Sequence, residues 1–254
     1  MRIRVRLFAI HRELAGAREV PIELADGATV EDAWRAMTER HPLLAPGRPS
    51  VRFARNGDYA EPATILIDGD ELAFIPPVSG GAAAATDAAH GRIRILELHE
   101  EPFPPTILAD LEARLASDAD GGVVGFVGRT RRTPGTPAPG QEAQAARHEG
   151  RSVEALSYEA HDTMAIRVLD TIADEIEARF GVERLAIVHR IGIVPLGATS
   201  IVVVAASEHR DAAFQAARYA IDETKARAPI WKAETFDDGH VWIGQPARNG
   251  PMDA

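Results

Sequence analysis

Four basic side chains stand at the two ends of a predicted helix in segment 207–234, SEHRDAAFQAARYAIDETKARAPIWKAE. His209 and Arg210 lie at the start of the predicted helix, whereas Lys225 lies on its last turn and Lys232 follows in an extended stretch. A helix N-terminus adds free N–H groups and a partial positive charge to a neighbouring cationic pair. Cations at both ends of one rigid element predict a binding site for an anion.

The surroundings of the two lysines indicate acid–base or nucleophilic chemistry. Lys232 lies between Trp231 and Ala233 in a predicted strand, where an aromatic wall removes hydration from the ammonium group and lowers its pKa. Each lysine also has a simpler interpretation: Lys225 as a charge facing the helix dipole, and Lys232 as an outward strand residue. For either lysine alone the simpler interpretation is favoured, but the four cations together favour a functional site.

The helix between these cations has ordinary boundary signals. Ser207 is the predicted N-cap, and Pro229 is the predicted stop. Its apolar stripe is predicted to consist of Phe214, Ala217, Tyr219, Ala220 and Ile221. This pattern predicts one rigid element that carries the flanking cations.

Composition limits the classes of protein to which the chain can belong. Its 254 residues are 45% apolar and 26% charged, which is typical of a soluble globular protein. The net charge of −10 argues against a nucleic-acid binder, whose phosphate contacts need a basic face. The longest strongly apolar run, 201–206, is too short to cross a bilayer. We therefore expect a cytoplasmic protein that binds neither nucleic acid nor membrane.

The chain has no cysteine, which excludes disulfides, thiolate metal ligands and a cysteine persulfide. His189 and His240 lack neighbouring His, Asp or Glu residues at ligand spacing, so no metal site is expected. If this protein moves sulfur, another group must carry it.

Residues 1–81 predict a β-grasp, or ubiquitin-like, domain. Alternating patterns and turn signals predict strands at 2–7, 19–24, 51–54, 64–67 and 71–75. The first two strands are predicted to form a hairpin around a short turn that contains Gly16. Thr29 and Asp32 have the spacing of a capping box at the start of a helix.

Residues 92–245 predict a second domain, which follows a linker at 82–91 and precedes a flexible tail at 246–254. Its strand and helix patterns suggest the order β-α-β-β-α-β of a ferredoxin-like α+β sandwich. The proline- and glycine-rich segment 133–151 within it is predicted to be a mobile loop or lid.

Three further polar residues follow a predicted glycine-rich strand at 121–128. They are Arg129, Thr130 and Arg131, and the arginines are interpreted on their own as solvated side chains. The glycines before them are too few and wrongly spaced for a phosphate loop or a dinucleotide fingerprint.

Four motifs of the second domain carry a family resemblance. They are GFVGRTRR at 125–132, LSYEAHDTMA at 156–165, HRIGIVPLG at 189–197, and the pair His209-Arg210 followed by KARAPIWK at 225–232. Over most of residues 92–245 the chain resembles the large, catalytic subunit of molybdopterin synthase.

This resemblance implies a substrate pocket for cyclic pyranopterin monophosphate. The residues that it assigns to substrate binding are Arg129, Thr130, Arg131, His209, Arg210, Lys225, Lys232, Ala233 and Glu234. Lys225 is implied as the main catalytic residue, with Lys232 in a supporting role. The family also implies a homodimer through the second domain, in which His209 and Arg210 reach the pocket of the neighbouring protomer.

The first domain carries a second resemblance in RLFAIHRELAG, NGDYA and the ending FIPPVSGG. These motifs resemble the small sulfur-carrier subunit of the same enzyme, whose terminal glycine is adenylated and converted to a thiocarboxylate sulfur donor. That chemistry suits a chain without cysteine and implies no permanently bound cofactor. It assigns the carrier role to Gly80 and Gly81, but Ala82 follows here, so activation requires cleavage behind Gly81.

Together the resemblances imply a natural fusion of both subunits. This sulfurtransferase would insert two sulfurs into cyclic pyranopterin monophosphate and form the dithiolene of molybdopterin. Its implied partner is an enzyme that adenylates and sulfurates the carrier domain. Two other interpretations stay open: a sulfur-carrier and docking module for another pathway, and an inactive regulatory fusion. The cations at His209, Arg210, Lys225 and Lys232 favour the enzyme.

Overall fold

The computed structural model describes residues 1–76, 92–137 and 141–243. Its contacts divide the chain into two units, Met1–Val78 and Ser79–Ala254. Gly80 and Gly81, the linker and the predicted tail lie outside the described residues, so the domain boundaries stay predictions. No helix in the described ranges is long and apolar enough to cross a membrane.

The described part of the first unit is a five-stranded sheet with two α-helices. Its elements are β1 (Arg2–Leu7), α1 (Ala9–Ala15), β2 (Glu19–Glu23), α2 (Val30–Arg40), β3 (Arg52–Arg55), β4 (Asp58–Ala60) and β5 (Glu71–Ile75). The strand order is β2-β1-β5-β3-β4, with β1 antiparallel to β2 and parallel to β5. Trp34 of α2 is buried, and its ring centroid lies 5.0 Å from that of Phe74 in β5. This is the β-grasp fold, as predicted.

One prediction is confirmed at the start of α2, and another is wrong in the connection before β2. The capping box is confirmed, because Thr29 Oγ1 accepts the Asp32 N–H at 3.3 Å and Asp32 Oδ2 accepts the Thr29 N–H at 2.9 Å. The short turn predicted around Gly16 is wrong. Residues 9–15 form α1, and Gly16 ends that helix in the left-handed conformation with φ +66°.

The strand predicted at 64–67 is also wrong. This segment makes a single β-bridge, between Ile65 and Thr29. Leu66 is buried, whereas Ile65 and Ile67 are 59% and 58% exposed. The alternation in sequence therefore reflects an extended segment that inserts one side chain into the core without joining the sheet.

The second unit contains two four-stranded sheets and four α-helices in its described residues. Its elements are β6 (Ile93–His99), α3 (Ile107–Leu115), β7 (Gly122–Arg129), α4 (Glu142–Ala146), β8 (Ala155–Ala160), α5 (Asp162–Phe180), β9 (Arg184–Arg190), β10 (Gly192–Pro195), β11 (Thr199–Ser207), α6 (Arg210–Arg227), β12 (Ile230–Phe236) and β13 (Gly239–Ile243). Sheet I has the order β6-β9-β11-β7, and sheet II has the order β10-β8-β12-β13. The predicted α+β class is confirmed, and sheet II is a separate layer that the order of elements did not reveal.

Helices α5 and α6 pack together on sheet I and fix the end of α6. Leu169 and Ile172 of α5 belong to the same buried cluster as Ala220 of α6 and Val203 of β11. The fully buried Arg227 donates to Glu175 of α5 at 2.8 Å and to Glu223 at 3.2 Å. Because Arg227 is two residues after Lys225, this buried ion pair holds the last turn that carries Lys225.

Two details of α6 differ from the prediction. Ser207 is the last residue of β11, where it pairs with Gly122, so the helix cap falls on His209 instead. Phe214 was assigned to the apolar stripe but is 61% exposed. Small residues such as Ala213 and Ala216 occupy the buried face, which lets the helix lie close to the sheet.

Candidate active site

A cavity of about 480 Å³ opens in the second unit, lined by both sheets and by the last turn of α6. Lys225 and Lys232 both line this cavity, and they are the only lysines in the chain. Arg129, Arg131 and Glu234 line it as well. The structure therefore groups five charged residues that the sequence spreads over more than a hundred positions.

Lys232 faces the cavity because of the register of sheet II. It lies on β12 opposite Tyr158 of β8, and Glu234 follows two residues later on the same face of the strand. Burial lowers the pKa of Lys232, and the charges of Lys225 and Arg131 lower it further, whereas Glu234 raises it. A lysine with a lowered pKa exchanges protons more readily near neutral pH.

Glu234 connects the cavity to the segment predicted as a loop or lid. Its carboxylate is 4% exposed and accepts the Gly135 N–H at 2.8 Å and 3.1 Å. A Cβ at Gly135 would meet Ile243 Cγ2 at 3.1 Å and Glu234 Oε1 at 3.2 Å, so glycine allows this close approach. Burial raises the pKa of Glu234, although the Gly135 N–H, Lys232 and Arg131 lower it.

Segment 133–151 also contacts sheet II through described residues beyond Gly135. It contains the short helix α4, and Arg151 at its end donates to Asp238 at 2.7 Å. Together with the bonds of Gly135 and the bridge between Pro137 and Ile243, these contacts anchor the segment to sheet II. Its predicted role as a moving lid stays a prediction.

Lys225 projects into the cavity from the last turn of α6. Its Nζ lies 5.9 Å from the ring centroid of Phe126 in β7, a distance that permits a cation–π attraction. Phe126 belongs to the core and to the cavity wall at once, because it also packs against the cluster beneath α6.

The arginines after β7 and the threonine between them face different ways. Arg129 and Arg131 are exposed at the cavity, and Arg129 Nε donates to the Gly197 carbonyl at 2.7 Å. Thr130 is buried, donates its N–H to the Ala198 carbonyl at 3.0 Å and does not line the cavity. Alternation along an extended chain produces this difference.

Three other residues assigned to substrate binding lie away from this cavity within one chain. His209 and Arg210 are at the opposite end of α6, whose 18 residues span roughly 27 Å, and their side chains are 80% and 83% exposed. Ala233 is buried and points to the other face of β12 from Lys232. Their roles stay predictions.

Two residues of the cavity were not assigned to the site from the sequence. Tyr158 lies opposite Lys232, and burial raises its pKa. The sequence suggests no role for His189 other than that of a metal ligand. In the structure its ring packs edge-on against that of Tyr158, with ring centroids 4.8 Å apart. The alternation of β8 could have placed Tyr158 on the face of Leu156, but only the pairing of β8 with β12 brings it to the lysines.

We expect Glu234→Gln to lower the pKa of Lys232 further, because it removes the negative charge that raises this pKa. With lysine labelled with ¹³C at Cε alone, the chain gives only two labelled signals, so NMR titration reads both residues directly. Glu112→Gln, at an exposed position on α3 outside the cavity, is the matched control. A Lys232 pKa at its ordinary value, or one that Glu234→Gln leaves unchanged, contradicts this account of the cavity.

Comparisons with known proteins match both units. The MoaE protein family matches residues 99–227, and the ThiS family matches residues 5–81. The molybdopterin synthase catalytic subunit of Oryza sativa subsp. indica is 38% identical over 161 residues, which cover 63% of this chain and 74% of that protein. That of Pyrococcus abyssi is 38% identical over 131 residues, which cover 52% and 79%.

Two solved structures are also similar to parts of the chain. Molybdopterin synthase from Staphylococcus aureus is 29% identical, with a TM-score of 0.48, and the match covers 62% of this chain and 99% of that one. SAMP1 from Haloferax volcanii is 37% identical, with a TM-score of 0.29, and the match covers 32% and 100%.

Proposed function

Because the chain belongs to the MoaE protein family, we propose that it is a molybdopterin synthase fused to its own sulfur carrier. The enzyme transfers two sulfurs to cyclic pyranopterin monophosphate and forms the dithiolene of molybdopterin. One observation carries the proposal: both lysines line a single cavity of the second unit together with Arg129 and Arg131. The ThiS family match over residues 5–81 supports the carrier role of the first unit.

The cations of the site suit a phosphorylated substrate. Arg131 at the cavity supplies a charge-assisted hydrogen bond to the phosphate. His209 and Arg210 of a second copy complete the anion site in a homodimer, because in their own chain they lie an entire helix away. Their exposure supports this arrangement, since both side chains are free to reach a neighbouring protomer.

The two lysines have different tasks in the proposed reaction. Each thiocarboxylate sulfur forms a C–S bond to the substrate with loss of substrate oxygen as water, and hydrolysis of the resulting thioester returns the carrier as a carboxylate, so two carriers are used per product. These steps develop negative charge and require protons to move, and a positioned ammonium group serves both needs. Lys225 is the main catalytic group, on the helix turn that the buried Arg227 ties to Glu175 of α5. Lys232, with its lowered pKa, supports it as a proton donor or acceptor.

The sulfur donor is the proposed thiocarboxylate of Gly81. A backbone carboxylate needs no thiol side chain, which fits a chain without cysteine. Gly80 and Gly81 carry no side chain, so this end can enter a narrow slot. A separate enzyme adenylates and sulfurates the carrier after the chain is cut behind Gly81.

Alanine variants of Arg131, His209 and Arg210 are expected to bind cyclic pyranopterin monophosphate more weakly. A hydrogen bond to a charged group contributes about 1.5–3 kcal/mol, so each loss weakens binding by roughly 10- to 100-fold. The difference from wild type should shrink as salt rises, because ions screen exposed charges. Calorimetric titration at two salt concentrations measures both effects.

Arg218→Ala is the matched control for this series. Arg218 is an exposed arginine on α6, 85% exposed, and lies outside the proposed site. Its loss should leave affinity unchanged. Unchanged affinity in all three site variants would place the phosphate elsewhere.

A further inference from the structure

We infer that His189 is a substrate-recognition residue, whose Nε2 accepts a hydrogen bond from an N–H group of the pterin ring in the cavity. The inference rests on the proposed function, since it takes the substrate to be a phosphorylated pterin. It assigns to the cavity a neutral acceptor in addition to its cations.

The tautomer of His189 is fixed by the protein backbone. Its Nδ1 lies 2.7 Å from the Arg190 carbonyl oxygen. A carbonyl can only accept, so Nδ1 carries the proton and donates. In a neutral ring Nε2 then keeps its lone pair as an acceptor.

The Arg190 backbone that fixes this tautomer is itself held in place. The buried Arg190 side chain donates from Nη2 to the carbonyls of Glu100 and Ile193, each at 3.1 Å. These bonds tie the end of β9 to the neighbouring loop and to β10. His189 is thus a preorganised group, and little side-chain freedom is lost when it binds a ligand.

The surroundings keep the ring neutral. His189 is 7% exposed and lines the cavity that also holds Lys225. Burial lowers the pKa of His189 to about 4, the hydrogen bond to Arg190 raises it, and the charge of Lys225 lowers it. At neutral pH the ring therefore adds no charge to the cationic site and offers an acceptor to a donor group.

The walls near His189 suit a flat heterocycle. The Tyr158 ring meets His189 edge-on, and its hydroxyl interacts with that of Ser200, which donates to the Gly128 carbonyl at 3.3 Å. Phe126 adds a second aromatic surface. Aromatic walls with one fixed acceptor match a ring that carries N–H donors, whereas Arg131 matches its phosphate.

Two substitutions separate the two ring nitrogens. His189→Asn retains an N–H at the position of Nδ1 and keeps the bond to the Arg190 carbonyl, but it removes the acceptor in the cavity. His189→Gln places an amide oxygen near the position of Nε2. Calorimetric titration with cyclic pyranopterin monophosphate should show about tenfold weaker binding for His189→Asn and near wild-type binding for His189→Gln.

Three outcomes of the titration are distinct. Wild-type affinity in His189→Asn overturns the inference, and so does an equal loss in both folded variants, because the acceptor would then be irrelevant. No binding by the wild-type chain counts against the proposed function itself. Thermal unfolding of both variants shows whether they are folded.

A measurement on the wild-type chain covers the case in which the variants do not fold. With ¹⁵N-labelled histidine, the unprotonated Nε2 resonance of His189 should move toward the protonated range when the substrate is added. An Nε2 resonance that stays in place at saturating substrate overturns the inference. The spectrum of the His189→Gln variant, or the fixed Nδ1–H tautomer, assigns the signal among the nine histidines of the chain.

Discussion

Lys225→Ala is expected to lower molybdopterin formation by at least about 100-fold, because removal of a positioned acid–base or charge-stabilising group costs 10²–10⁴ in rate. Lys225 projects from the end of α6 into the cavity and is exposed, so the free energy of unfolding should change by less than about 0.5 kcal/mol. The assay supplies separately thiocarboxylated carrier, so that only the transfer step is measured.

Two further variants sharpen this result. Arg218→Ala removes an exposed cation from the same helix and should keep full turnover. Lys225→Arg keeps the charge but does not release its proton at any working pH. Activity retained in Lys225→Arg would assign Lys225 a purely electrostatic role, and near-normal turnover in Lys225→Ala would remove it from the mechanism.

The second large effect is expected at the junction of the two units. Gly81 is followed by Ala82, so its carbonyl is an amide with no free oxygen to attack the α-phosphate of ATP. Ala82→Pro hinders proteolysis of the Gly81–Ala82 bond and leaves the carrier sequence itself intact. With the activating enzyme, ATP, a sulfur source and substrate, this variant should form no molybdopterin from its own carrier domain.

The control for this variant is the addition of thiocarboxylated carrier, residues 1–81, as a separate chain. It should restore turnover, since Ala82→Pro leaves every residue of the cavity unchanged. Mass spectra of wild-type protein should show a fragment that ends at Gly81. If intact Ala82→Pro protein makes molybdopterin at the wild-type rate, with only full-length chain present, sulfur reaches the substrate by another route.

The charged members of the site could be predicted from the sequence because they lie in ordered motifs. Lys225 and Lys232 are each compatible with a plain surface role, and their spacing from His209 and Arg210 favours a site, whereas Arg131 is assigned only by the family resemblance. The structure adds that they line one cavity. The capping box at Thr29 was equally predictable, because all of its partners lie within four residues.

The uncharged members could not be predicted because they depend on long-range pairing. Tyr158 meets Lys232 only through the pairing of β8 with β12, which joins residues more than seventy positions apart. His189 of β9 in sheet I lines the same cavity as residues of sheet II, whereas the order of elements in the sequence predicts a single sandwich. Strand pairing also explains the error at Ser207. The sequence predicts Ser207 as a helix cap, but its pairing with Gly122 makes it the last residue of β11.

The two error sites in the first unit have a different origin. The sequence predicts a short turn that contains Gly16, whereas residues 9–15 form the helix α1, which Gly16 caps. Segment 64–67 has the alternation of a strand, but one bridge to Thr29 leaves most of its backbone unpaired in the sheet. In both cases the local pattern indicates a turn or an extended segment, but it does not indicate which residues the segment pairs with.

The most direct test of the account is whether the chain converts cyclic pyranopterin monophosphate to molybdopterin. The wild-type protein is incubated with an activating enzyme, ATP and a sulfur source, and mass spectrometry follows both the substrate and the carrier. The account predicts a carrier fragment with a thiocarboxylate at Gly81 and a product that has gained two sulfurs. A carrier that acquires its sulfur while the substrate stays unchanged would contradict it.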